Sequence, residues 1–529
     1  MREYLQRHTN PPVFVISALV VVAFLAAGVF FTGVTSAAAT TVQGFITTYF
    51  GWFYILGVSF LLIFVVALFP TRYGRIRLGP DDSRPEFSTT AWFAMLFTAG
   101  MGIGLVYYGV AEPMAHFTSP PVGRGGTPEA ARQAMNLTFF HWGLHPWAVY
   151  IVLGLALAYF GFRRGLPLKP AAAFHPLLGD RINGPIGHTV DILAVFGTLF
   201  GLATSLGIGA RQINAGLSTL FGMSNTTGTQ ILLVALVTAV AVTSVMLGLD
   251  KGIRRLALVN MWLAAVLTVF VFAVGPTLFI LDSFSGNVGY YLQNLVATSL
   301  NMFPLSDSGE QWQSGWTLFY WGWWISWSPF VGMFIARISY GRTIRQFIVG
   351  TLFAPVGASL VWFTVFGDTA LQSELFGPGG IADAGTSNAL FVLLRELPVS
   401  GVFSVLASVL AIVVVVLFFA TSSDSGSLVV DMLTNGGDPN PVWQQRLFWA
   451  VTEGAVAAVL LLVGGLTALQ TASITAGLPF LVVLLAMCYS LVKGLQQERL
   501  PGLAPGPAAD ADSGVGRQRR VQPAEAPST

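Results

Sequence analysis

The sequence predicts an all-α, polytopic membrane protein, and three observations carry that prediction. Of 529 residues, 54% are hydrophobic and only 9% are charged, against roughly 25% charged in a soluble domain. Mean hydropathy is +0.70. Twelve apolar runs lie near residues 12–33, 50–69, 90–111, 134–161, 188–220, 228–248, 256–282, 311–339, 346–370, 399–427, 443–465 and 472–493, each about long enough to cross a bilayer as a helix.

The first run precedes Ser36-Ala37-Ala38-Ala39, which imitates a signal-peptidase site. Its apolar core exceeds the roughly 7–15 residues of a signal peptide, so it reads as an uncleaved helix. Residues 1–11 form a short arm, 12–495 the transmembrane domain, and 496–529, rich in Pro, Ala and Gly, a disordered tail. Arg72, Arg75, Arg77, Arg84, Arg163, Arg164, Lys169, Arg181, Lys251, Arg254, Arg255, Arg337, Arg342, Arg345 and Arg446 fall in alternate loops. The opposite loops hold only Arg124, Arg132 and Arg395. The first set is therefore cytoplasmic, and an even span count puts both termini there too, in a cytoplasmic (inner) membrane. Segments 285–300 and 386–397 have helical periodicity and read as surface helices on the outer side.

Several function classes drop out. The net charge is +2 and the basic residues form no stripe, so nucleic acid is not an expected partner. The single cysteine, Cys488, permits no intrachain disulfide. His141 and His145 have i, i+4 spacing but no third ligand nearby in sequence, which disfavours a metal pair. No nucleophile, base and orienting group recur at useful spacing, and no organic cofactor motif stands in the loops, so an enzyme is not expected.

Within the third span, Thr98-Ala99-Gly100-Met101-Gly102-Ile103-Gly104 carries glycine at every second position. Glycine costs a helix roughly 1 kcal/mol against alanine, and the run favours local unwinding. Unwound backbone can hold a carboxylate through N–H groups and Na⁺ through carbonyls. Close helix packing explains Gly100 and Gly104 equally well. The fourth span holds His141-Trp142-Gly143-Leu144-His145-Pro146-Trp147-Ala148-Val149-Tyr150, where Pro146 kinks the helix and turns Trp142, Trp147 and Tyr150 toward one cavity.

The eighth span, Trp316 to Ser328, has five tryptophans in WTLFYWGWWISWS. Trp323, Trp324 and Trp327 fall near mid-depth, where an interfacial belt does not explain them. Trp316, Tyr320, Trp323 and Trp327 share i, i+4, i+7, i+11 spacing and hence one helix face, with Trp324 beside it. Indole faces attract quaternary ammonium groups that have no N–H to donate. The tenth span ends in Thr421-Ser422-Ser423-Asp424-Ser425-Gly426-Ser427, an oxygen-rich patch suited to a hard cation or, alternatively, to helix-end capping.

GMGIGLVYYGVAEP (Gly100 to Pro113), HWGLHPWAVY (His141 to Tyr150), WTLFYWGWWISWSPF (Trp316 to Phe330) and TSSDSGS (Thr421 to Ser427) together resemble the betaine/choline/carnitine transporter family. The resemblance implies twelve helices in an amino-acid/sodium symporter-like fold. Two inverted five-helix repeats, 90–282 and 311–493, follow two additional N-terminal helices, and three copies assemble as a homotrimer in membrane lipid. It further implies that Trp142, Trp147, Tyr150 and Trp324 form a box around a trimethylammonium group. Trp327 and the opened backbone at Ala99, Gly100, Met101, Gly102 and Gly104 would lie toward the carboxylate, and Trp323 and Phe330 along the cytoplasmic pathway.

One Na⁺ would bind carbonyls of Thr98, Met101 and Phe418 with the hydroxyls of Thr421 and Ser422. A second would use Thr198, but the family's partner threonine is here Leu202, which offers no oxygen. Sodium-independent exchangers of the family carry an arginine in span seven, whereas Ala257 to Ile280 has no basic residue. Choline carriers tend to have aspartate at the position of Gly104. The resemblance therefore implies Na⁺-coupled uptake of a zwitterion such as glycine betaine, with a Na⁺-independent exchanger and an osmotically gated channel as the alternatives.

Overall fold

A computed structural model of the chain describes residues 8–100, 102–246, 250–439 and 442–498, the side chains of 97–100 and 250–255 excepted. The arm before residue 8 and the tail after 498 lie outside that description. Among the described residues there is no strand beyond one isolated bridge between Arg77 and Thr343, and nine helices are long and apolar enough to cross a membrane. The protein is an all-helical, multi-pass membrane protein.

The helices that position the centre of the molecule are α1 (Pro11–Phe30), α2 (Thr32–Leu68), α3 (Thr89–Gly100), α4 (Ile103–Thr118), α5 (Pro128–Trp142), α6 (Leu144–Ala158), α7 (Pro185–Phe221), α8 (Thr227–Met246), α9 (Asp250–Val274) and α10 (Thr277–Ser299). They continue as α11 (Asp307–Gly315), α12 (Thr317–Arg337), α13 (Ile344–Phe363), α14 (Thr369–Phe376), α15 (Ala389–Glu396), α16 (Gly401–Thr434) and α17 (Trp443–Gln496). The segment Pro128–Arg163 is nearly wholly buried, whereas α1, α8 and Leu256–Val274 leave most of their apolar surface outward, as lipid-facing helices do.

Helix boundaries follow local chemistry. Thr127 caps α5, its side chain accepting from Ala130 N, with Pro128 at the first turn. Thr343 and Gln346 close a capping box on α13. Residues 34–49, which the apolar runs leave between spans, are helical in α2, because Ala37 to Ala39 favour helix and the threonine hydroxyls bond back to carbonyls one turn earlier. The seventh run also differs from its expected extent. It stops at Val274, and after Gly275-Pro276 the remainder belongs to α10, proline being unable to continue the ladder. The last two runs meet within α17 at a kink, where Gly464 and Gly465 are non-helical, the latter at φ +59°, a conformation glycine adopts without strain, so that two helices flank the break.

Two helices end in π-turns, Tyr159–Arg163 after α6 and Thr364–Asp368 after α13. On the arginine-rich side, the loop after α2 is tied to the α12–α13 loop by Leu78 N to Arg342 O (2.8 Å) and Ile344 N to Ile76 O (2.9 Å). The end of α17 is clasped there as well. Glu498 pairs with Arg163 (2.8 Å) and accepts from the Tyr159 hydroxyl (2.7 Å).

Partial burial pushes the Glu498 carboxyl up, but the Arg163 and Tyr159 hydrogen bonds outweigh it and hold the group below its ordinary value. A depressed carboxyl stabilises the fold above its unfolded-state value and loses that contribution as pH falls through its folded-state value. The thermal stability gap between the wild type and Glu498→Gln is therefore expected to be flat near neutrality and to close only below the ordinary glutamate range. Thermal melts of the detergent-purified pair across pH check this.

An aromatic cavity at a broken helix

The site is built where α3 stops and α4 begins. The break falls among the three glycines. Gly102 is extended (φ −155°, ψ −178°), and α4 opens at Ile103 with Leu105 N bonding to Gly102 O at 3.1 Å. First-turn N–H groups of a helix have no partner within it, so the α4 N-terminus offers donors and the positive dipole end to an anion. The fourth span is likewise interrupted, at Gly143 (φ −94°, ψ −126°), three residues before Pro146. A Cβ on Gly143 would lie 2.4 Å from the Phe139 carbonyl, and Leu144 N at the start of α6 donates to the Tyr291 hydroxyl of α10 (3.2 Å).

Between these breaks and α12 lies a small cavity lined by Gly102, Gly104, Leu105, Trp142, Pro146, Trp147, Tyr150, Ser205, Trp323, Trp324, Trp327 and Ser359. Trp142 meets Trp324 edge-on at 4.9 Å, Trp323 and Trp324 stack at 4.6 Å, and Tyr150 stands edge-on to both Trp324 and Trp327 at 6.4 Å. Stacked and edge-to-face contacts of this kind are the arrangements aromatic pairs prefer, and all five rings border one space. Trp324 Nε1 donates to the carbonyl of His141 at 2.9 Å and Trp323 Nε1 to that of Gly201 at 3.2 Å, which fixes both ring planes.

Of the residues expected at the site, Trp142, Trp147, Tyr150, Trp324, Trp327, Gly102 and Gly104 all line this cavity, and Trp323 does so too. Phe330 lies farther on. From Trp327 a second, larger cavity continues past Asn260, Phe330, Phe334, Phe418, Thr421, Ser422 and Ser425. Phe330, Phe334 and Ser425 also border a third, larger still, which reaches Glu86, Phe162 and Arg337 on the arginine-rich side. The series widens toward that side. Side chains of Thr98, Ala99 and Gly100, and all of Met101, lie outside the described residues. Phe418, Thr421 and Ser422 share the second cavity, and the Thr421 hydroxyl donates to Leu417 O (2.7 Å), which leaves its lone pairs open to a cation. Thr198 is buried and donates to Ala194 O (2.8 Å). Leu202, one turn on, packs against Gly426, whose Cβ would fall 2.3 Å from Leu202 Cδ1. Asp424 is ion-paired with Arg446 at 2.9 Å.

Sequence reasoning missed Ser205 and Ser359 in the cavity wall and, behind it, Glu112. The Glu112 carboxylate is buried and meets His141 Nδ1 (2.7 Å), His116 Nε2 (3.2 Å), Trp142 Nε1 (2.7 Å) and the Tyr320 hydroxyl. The i, i+4 spacing of Glu112 and His116 was the available signal. His141 thus associates with Glu112 and His116, not with His145, whose ring stacks on Trp321 at 5.5 Å. Ligand atoms of the three cluster within 4.8 Å. At 2.7 Å, however, His141 Nδ1 and Glu112 Oε1 are a hydrogen-bonded pair. Two ligands at ~2 Å from one tetrahedral zinc stand roughly 3.3 Å apart.

The chain matches the profile of the BCCT, betaine/carnitine/choline family transporter, over residues 12–500. It belongs to the betaine/carnitine/choline transporter family. It is 48% identical over 491 residues to a glycine betaine transporter of Acinetobacter baylyi, covering 92% of this chain and 73% of the relative. The glycine betaine transporter OpuD of Bacillus subtilis is 47% identical over 458 residues, 86% of this chain and 89% of its own. A glycine betaine/proline/choline transporter of Vibrio parahaemolyticus is 44% identical over 504 residues, with 92% and 90% covered. The protein is accordingly a membrane transporter of a small molecule and not an enzyme.

Proposed function

We propose that this transporter takes up a quaternary-ammonium zwitterion, glycine betaine foremost, as a compatible solute, by Na⁺-coupled alternating access. The observation that carries the reading is the pairing of two unlike walls in one cavity. Trp142, Trp147, Tyr150, Trp323, Trp324 and Trp327 face the space opposite the start of α4. A trimethylammonium head cannot donate hydrogen bonds and is held by π faces. A carboxylate a few ångströms away suits the free N–H groups of a helix start. The names of the relatives from Acinetobacter, Bacillus and Vibrio support betaine as the substrate.

Cavities widening from Trp327 toward the arginine-rich loops support a conformation open to the cytoplasm, with both termini on that side of the inner membrane. The two π-turns, each closing the second span of a proposed five-helix repeat, support inverted repeats within a twelve-span fold. The homotrimer in lipid completes the proposal. Na⁺ would sit against Thr421 and Ser422, with Phe418 and the α3 end as further ligands and Thr198 at a possible second site. By ordering the helix break it would raise affinity for the carboxylate, and by linkage the substrate would raise affinity for Na⁺.

Uptake of radiolabelled glycine betaine into proteoliposomes under an inward Na⁺ gradient, with K⁺ controls, tests the reading. Concentrative Na⁺-dependent uptake is expected. Uptake indifferent to Na⁺ but stimulated by internal substrate would replace symport with exchange, and equilibration without concentration would replace it with a channel. Thr421→Ala is expected to raise the half-saturating Na⁺ concentration several-fold, about the effect of one lost ligand oxygen, without a comparable change in Na⁺-saturated maximal rate.

A further inference from the structure

Glu112 does not line the cavity, yet it touches the residues that do. Its side chain has no solvent exposure, and an ionised carboxylate is retained in such a place only when its lone pairs are met by donors. Oε2 takes the indole N–H of Trp142 (2.7 Å) and the hydroxyl of Tyr320. Oε1 meets His141 (2.7 Å) and His116 (3.2 Å). The backbone carbonyl of His141 in turn receives the indole N–H of Trp324. One carboxylate thereby fixes Trp142 directly and Trp324 through His141, and these two rings meet edge-on at 4.9 Å across the box.

Packing alone would be served by a neutral amide. A charge here does two further things. With His116 and His141 neutral, it sets a negative potential behind the box wall, away from solvent that would screen it. A charge-assisted N–H···O⁻ bond also pushes electron density into the indole, making its face more attractive to a cation.

We propose that Glu112 is a positioning and specificity-determining residue of the aromatic box: its carboxylate, held behind Trp142 and Tyr320, makes the site prefer a cationic head group over a neutral one of the same shape. This rests on the cage reading above. The discriminating ligand pair is glycine betaine and 3,3-dimethylbutanoate, which share the carboxylate and the three methyl groups and differ in having nitrogen or carbon at the centre of the head.

Equilibrium competition against radiolabelled glycine betaine on the purified full chain gives the affinity ratio of the two. In Glu112→Gln the acceptor oxygen remains and the charge is lost, and the ratio is expected to fall about tenfold. A role in packing alone would weaken both ligands together and leave the ratio unchanged, which would overturn the proposal. Tyr320→Phe keeps the carboxylate and its Trp142 bond, so its ratio is expected to stay within about threefold of wild type. A collapse of the ratio in that variant would mean that rigidity and not charge sets the preference, a conclusion available even if Glu112→Gln fails to insert. Wild-type protein that binds no glycine betaine would sink the cage reading itself, whereas wild-type discrimination retained in Glu112→Gln sinks only the role of Glu112.

Discussion

Replacing Trp324 with leucine is expected to raise the half-saturating concentration for glycine betaine uptake about 30-fold, with the protein still present in the membrane. Trp324 packs against Trp323 at 4.6 Å and Trp142 at 4.9 Å and lines the cavity. A desolvated cation–π contact is worth about 2 kcal/mol, and each 1.4 kcal/mol is tenfold in affinity. Leucine removes that contact together with the N–H bond to the His141 carbonyl. The substitution also opens space among buried rings, a cost of a few kcal/mol that a helix embedded on all sides can absorb. Uptake kinetics and membrane abundance of Trp324→Leu, measured side by side, separate the two effects. An unchanged half-saturating concentration would remove Trp324 from the cage.

The cage was legible because its residues break a local rule. Tryptophans belong at the membrane edge, so Trp323, Trp324 and Trp327 at mid-depth needed another reason, and all three line the cavity. The helix break was legible for a similar cause, since three closely spaced glycines weaken a helix wherever it lies. The face assigned by spacing alone was less faithful. Trp316 and Tyr320 share the expected stripe with Trp323, but they turn to His116 and to Glu112 and not to the cavity. A helical wheel gives direction about one axis and cannot say which neighbour stands there.

Glu112 escaped for the same reason in stronger form. Its spacing to His116 is a single acid–histidine pair in an apolar run, and its other partners, His141, Trp142 and Tyr320, come from two other helices, brought near only by packing. The kink inside α17 falls at Gly464-Gly465, at the end of the eleventh apolar run, and the two helices it separates are held by α7 and α2.

The second large effect is expected at Gly104, and it tests whether the cavity's size or merely its chemistry matters. A Cβ at this position would lie 2.5 Å from Trp323 Cη2 and 2.9 Å from Trp142 Cη2. Both are edges of box rings whose N–H groups are anchored, to Gly201 and to Glu112, so neither ring can yield without surrendering a buried hydrogen bond. Overpacking of this kind costs typically 1–3 kcal/mol per insertion. Gly104→Ala is therefore expected to weaken substrate binding about tenfold. Gly104→Val adds two more carbons at the first turn of α4, between the proposed carboxylate donors and the aromatic wall, and is expected to reduce uptake at least about a hundredfold. Because α4 begins here, the added bulk acts on the ligand space more than on the rest of the helix, and membrane abundance should change little. Binding assays on the graded pair decide the matter. Equal, near-wild-type affinity in both variants would mean that the rings move freely and that the box is not pre-formed. A stepwise loss from glycine through alanine to valine would tie recognition to the close approach of backbone and indole that only glycine allows.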